Sequence, residues 1–85
     1  MKFEQAIIDS LKAMDGRRSA MLKEFKRKMR ENGYSGNDLD LLNEFDATIN
    51  SLIERKTIKL LPYAEMNEHQ KFISDSEGEP LYVLI

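Results

Sequence analysis

Between Arg17 and Arg30 the sequence sets seven basic side chains (Arg17, Arg18, Lys23, Lys26, Arg27, Lys28, Arg30) against one acid, Glu24. That run carries +6 in a chain whose net charge is −2, so the remaining residues together carry −8. Cations crowded onto one segment are what phosphate recognition needs: each one that meets a phosphate releases a counterion and adds salt-dependent affinity. The candidate phosphate contacts are Arg17, Arg18, Lys23, Lys26, Arg27 and Arg30, with Lys59 and Lys71 adding charge further along the chain. Asn43 and Asn50 carry side-chain amides of the kind that pair bidentately with adenine edges. The same lysines would also serve simply to solvate an exposed helix.

Other chemistry finds fewer tools. Ser10, Ser19, Ser35, Ser51, Ser74 and Ser76 share one histidine, His69, in a polar stretch, which gives a nucleophile–base–orienter triad little to work with. The acids fall mainly on solvent-facing positions, where paired general acid–base work is not expected. "SGND" lacks the glycine spacing and the lysine of a phosphate loop. "DSEGE" has too few ligands at loop spacing for calcium. There is no cysteine, which excludes disulfides and cysteine-ligated zinc, and one histidine cannot build a histidine metal site. No enzyme activity, cofactor or metal is expected.

The elements that must position these residues are legible from hydrophobic spacing. Over residues 3–14, Phe3, Ala6, Ile7, Leu11 and Met14 recur at steps of three and four, one stripe on a helix that Asp15-Gly16 should stop. Residues 19–31 form a second helix with Ser19 as the expected N-cap and Met21, Leu22, Phe25 and Met29 as its apolar stripe. At 100° per residue, Lys23, Lys26, Arg27 and Arg30 fall on its opposite side. Residues 38–56 form a third helix, with Ser35 and Asn37 as cap candidates and Asp38 and Asp40 in the first turn, where acids suit the helix dipole. Its core face is Leu41, Leu42, Phe45, Ile49, Leu52 and Ile53, and its solvent face carries Asp40, Asn43, Glu44, Ala47, Asn50, Ser51 and Glu54. The period then changes to two. Strands are expected at residues 57–61, 70–74 and 81–85, with a turn over Asp75 to Pro80.

Eighty-five residues, 41% hydrophobic and 33% charged, suit one compact α+β domain, residues 1–85. No apolar run is long enough to span a membrane, and the N-terminus has no signal-peptide pattern, so a cytoplasmic or, in a eukaryote, nuclear location is expected.

The run "SLIERKTIKLLPYAE" passes from helix to strand with almost no loop. Its "LIERKTIKLL" resembles the end of the third helix and first wing strand of winged-helix domains, and "EPLYVLI" resembles the strand returning from the wing. The resemblance implies a three-helix bundle followed by a β-hairpin wing. In that superfamily the larger group binds DNA through the third helix and the wing, and a smaller group binds proteins. The basic second helix points to DNA, in a small homodimeric transcriptional regulator. Against that, Asp40, Glu44 and Glu54 lie on the third helix's outer face with no basic residue before Arg55. The alternative is a protein-interaction domain that uses the acidic third helix or the basic second helix against an oppositely charged surface. "AIIDSLK" with "SLIERKTIKLL" also resembles the C-terminal winged-helix domain of cullins. That resemblance implies a ubiquitin-ligase scaffold role and places Lys12 where the family's modified lysine stands.

Overall fold

The structure, a computed structural model, describes residues 2–85. Three helices come first: α1 (Lys2–Ala13), α2 (Arg18–Glu31) and α3 (Asp38–Glu54). A short strand β1 (Ile58–Leu60), one 3-10 turn (Tyr63–Glu65), a fourth helix α4 (Glu68–Glu77) and a last strand β2 (Tyr82–Leu84) follow. The chain is thus α+β, with four helices and one two-stranded antiparallel sheet among the described residues.

The first three helices pack on one another, β2 lies against α1 and β1 against α3. The core between them draws on the expected stripes, Ala6 and Ile7 of α1, Met21, Phe25 and Met29 of α2, Leu41, Phe45, Ile49 and Leu52 of α3, joined by Ile58 and Tyr82 from the sheet, while Phe3, Leu11, Leu22 and Ile53 are only partly buried against it. Phe25 and Phe45 meet edge-on at 5.4 Å between centroids, and Phe3 lies 5.9 Å from Phe25. Such aromatic geometry adds to the burial itself. Two polar side chains enter the core, and both are satisfied within their own helix. The hydroxyl of Ser10 donates to the Ala6 carbonyl (2.8 Å) and that of Thr48 to the Glu44 carbonyl (2.7 Å).

The helix ends explain the tight connections. At the end of α2, the amides of Gly33 and Tyr34 donate to the carbonyls of Arg30 and Met29, with Gly33 left-handed at φ 86°. This pair of bonds is a Schellman cap. The α3–β1 junction repeats it: Lys56 and Thr57 donate to Ile53 and Leu52, with Lys56 left-handed at φ 59°. One turn closes the helix and aims the chain straight into β1, which is why Ile58 follows Leu52 and Ile53 so closely. Asn37, one of the two expected candidates, caps α3 and forms a reciprocal capping box with Asp40.

Four expectations need correcting. Residues 70–74 are not a strand but the centre of α4, which starts from a second capping box (Asn67 with Gln70) and runs through Glu77 to a left-handed Gly78. The turn expected over Asp75 to Pro80 therefore begins only at Gly78. Ser19 is not the N-cap of α2, since the helix begins at Arg18 and Arg17 makes no side-chain cap. Gly16 does not end α1 by left-handed geometry; it sits where a Cβ would lie 1.8 Å from the Tyr82 carbonyl oxygen. The Tyr82 amide donates to the Gly16 carbonyl at 2.8 Å, so only glycine lets β2 approach the α1–α2 link this closely.

The sheet register pairs Ile58 with Leu84, Lys59 with Val83 and Leu60 with Tyr82. Amide bonds from Leu61 to Leu81 (2.8 Å) and from Ile85 to Thr57 (3.0 Å) extend the pairing beyond both strand ends. On its other side the β2 segment meets an isolated antiparallel bridge, Arg17 to Leu81. The connection between the two strands, residues 61–81, holds the 3-10 turn and α4 rather than a simple loop.

Candidate interaction surfaces

The arginines in and just before α2 reach the surface, but each is paired with a carboxylate of the chain. Arg17 donates to Glu77 (2.9 Å) and to Asp15 (3.0 Å). Arg18 binds Asp46 while its guanidinium lies 5.2 Å from the centre of the Phe45 ring. Arg27 is gripped from both sides by Glu24 and Glu31, and Arg30 binds Asp38 (2.9 Å) and the Gly36 carbonyl (3.1 Å). Arg55, at the end of α3, pairs with Glu4. Every arginine of the chain is therefore paired with one of the chain's own carboxylates. The pairing is felt by the acids. Hydrogen bonds from Arg27, Arg30 and Arg55 hold Glu24, Asp38 and Glu4 below their ordinary carboxylate values.

The lysines behave differently. Among the described residues Lys23, Lys26 and Lys28 make no ion pair. Lys26 nonetheless acts at a distance on Asp38, and Lys28 on Glu24, helping to keep both ionised. Lys59 pairs with Glu65 (3.0 Å), and the Lys71 ammonium lies 5.7 Å over the Tyr63 ring. Asn43 and Asn50 are exposed on α3 together with Ala47 and Glu54. Of the expected nucleic-acid contacts, Arg17, Arg18, Arg27, Arg30 and Lys59 are thus ion-paired within the chain. Lys12 is exposed in the last turn of α1.

Two features went unread in the sequence. The first is a cap supplied across the fold: Glu79 accepts from the Ser19 amide and from the Ser19 hydroxyl, both at 2.8 Å. Those bonds, the hydroxyl's first, hold the Glu79 carboxyl below its ordinary value. With Arg17–Glu77 they fasten the end of α4 and the start of the β2 segment to the N-terminus of α2. The second is the outward face of α4. Phe72 is 69% exposed, and Tyr63, on the 3-10 turn that packs on α4 through Asp75 and Lys71, is 51% exposed. Adjacent Phe72 and Ile73 gave no stripe to read, and the partners of Glu77 and Glu79 lie 60 residues away.

The surface also carries two shallow depressions. One, of about 340 Å³, lies between Gln5, Ala6 and Asp9 of α1 and Arg27, Lys28 and Met29 of α2. The other follows the loop from Asn32 to Gly36. In the first, Asp9 accepts from Gln5 (2.8 Å) and Arg27 is paired with Glu24 and Glu31. Among the described residues no three His, Cys, Asp or Glu side chains could share a metal ion, and no helix is long and apolar enough to cross a membrane.

The chain matches no family model, and no curated protein or solved structure matches it.

Proposed function

We propose that the chain is a winged-helix binding module without catalytic chemistry, and that its partner is a protein. The fold assignment is supported by three features in the superfamily's order. Three packed helices come first, α3 feeds β1 through a one-turn cap, and the α1–α2 link bridges to the returning strand at Arg17 and Leu81. On this reading residues 61–81 are a wing enlarged by a helix.

The observation that carries the choice of partner is the internal pairing of every arginine. A phosphate must break an existing pair before it can gain one, and it leaves behind a carboxylate that repels it. At Arg27 two carboxylates would be released. The outer face of α3, where groove reading would occur, adds exposed Asp40 and Glu54 and half-exposed Glu44, with no cation among them. Charged surfaces of this kind select and steer protein partners.

DNA binding is the second reading, and Lys23, Lys26 and Lys28 are the observation that favours it. Three phosphate contacts would give a log–log salt slope of about −2.7, at roughly 0.9 per charge neutralised. The test is fluorescence anisotropy with a labelled random-sequence duplex at two salt concentrations. The expected result is no saturable, salt-sensitive binding. A slope near that value, abolished by Lys23→Glu with Lys26→Glu, would reverse the order of the two readings.

A further inference from the structure

Resting on the protein-binding reading, we propose that the α4 arm is the docking surface and that its occupant is a basic amphipathic segment of another protein. The arm contributes little to the domain's own core. Of its ten residues only Ile73 is buried, and α4 makes no extensive packing against another element. Yet it is built rigidly. A capping box starts it, Gly78 closes it, and the Tyr63 hydroxyl donates to Asp75 (3.2 Å) while Arg17 holds Glu77. A preordered helix that spends little of its surface on its own core presents side chains to something else at reduced entropic cost.

What it presents is two exposed aromatic side chains, Phe72 and Tyr63, in an acidic setting. On α4, Phe72 has Glu68 one turn before it and Asp75 one turn after it, by helical spacing. Tyr63 stands against the same helix, tied to Asp75 and under the Lys71 ammonium. Both Glu68 and Asp75 act on the Tyr63 hydroxyl, which shows how close the negative charge lies to the ring. Residues 61–80 carry Glu65, Glu68, Asp75, Glu77 and Glu79 against Lys71; with Glu65 paired to Lys59 and Glu77 to Arg17, Glu68 and Asp75 are the acids that flank the aromatic side chains without a cationic partner among the described residues. Large exposed aromatics with a charged rim are the usual anchors of protein interfaces. The complementary segment sets apolar side chains on Phe72 and Tyr63 and lysine or arginine against Glu68 and Asp75.

The test titrates the isotope-labelled chain with a synthetic helical peptide of repeating leucine and lysine, against a leucine–glutamate peptide of equal length, following backbone amide shifts. Saturable binding of the lysine peptide is expected, with the largest shifts at residues 63–76 and none from the glutamate peptide. Phe72→Ala should weaken it about tenfold and leave the melting temperature unchanged, because that ring is exposed. Saturable shifts confined to the α3 amides of Asn43, Ala47 and Asn50 would overturn the docking site while keeping a protein partner. Absence of saturable binding, or binding equal in Phe72→Ala, would overturn it as well. Concentration-dependent self-association that shifts the α4 amides without peptide would replace the partner with a second copy. Duplex DNA binding with no peptide binding would remove both this site and the reading beneath it.

Discussion

Gly16 and Glu79 act on the same seam from opposite sides. At Gly16 the chain gives up a side chain so that β2 can hydrogen-bond to the α1–α2 link, and at Glu79 a side chain from the β2 approach satisfies the start of α2. The two make separable predictions. Gly16→Ala must displace backbone, since its Cβ would fall 1.8 Å from the Tyr82 oxygen; it should cost at least the roughly 3 kcal/mol at the top of the overpacking range. Thermal unfolding should show the loss, and amide shifts at Tyr82 and Leu81 should show where it arises. Glu79→Ala removes a cap without forcing any movement. It should cost about 1 kcal/mol, as loss of an N-cap does, lowering the melting temperature by roughly 4–8 °C for a domain this small. Hydrogen exchange should quicken at the Ser19 amide, which would then be without its acceptor. A Gly16→Ala protein with native stability would mean that β2 does not approach the link this closely.

At the scale of elements, the α3–β1 junction holds the clearest stored strain. Lys56 adopts φ 59°, a left-handed conformation that costs an L-residue roughly 1–2 kcal/mol and glycine almost nothing. Lys56→Gly is expected to raise stability by about 1 kcal/mol after its extra unfolded-state entropy is counted, and Lys56→Val to lower it. Denaturant midpoints at constant slope would check both. The three long helices were readable because each buries a stripe at helical spacing, as Met21, Phe25 and Met29 do. The same reasoning missed α4, whose single buried residue, Ile73, leaves no stripe to detect. Its signals were local and lay at its ends: asparagine followed three residues later by glutamine, and glycine after Glu77. A β-leaning "KFI" outweighed them. The basic face of α2 was visible as composition, but its neutralisation was not. Arg17 finds Glu77, and Arg18 finds Asp46, across sequence distances that only the fold closes.

At the scale of the whole molecule, the pairs add ties between elements that already share the core. Glu4–Arg55 joins α1 to the end of α3, Arg30–Asp38 joins α2 to the start of α3, and Ser19–Glu79 joins α2 to the returning strand. In each case the partner holds the carboxyl below its ordinary value of 4.5 for Glu4 and Glu79 and 3.8 for Asp38. A carboxyl with a lowered folded-state value binds fewer protons when folded than when unfolded. Its contribution is therefore complete above the ordinary value and disappears as pH falls through the lower, folded one. Stability should be level near neutrality and then fall through and below the pH 3.8–4.5 region. Glu79→Gln should flatten that acid decline, because an amide cannot titrate and can still accept one of the two bonds from Ser19. Added salt at neutral pH should have a small effect, since exposed pairs are individually weak and screened. Denaturant unfolding from neutral to acid pH, at low and moderate salt, separates the two contributions. An acid decline of equal slope in the Glu79→Gln protein would show that the cap from Glu79 does not contribute to holding the returning strand on α2.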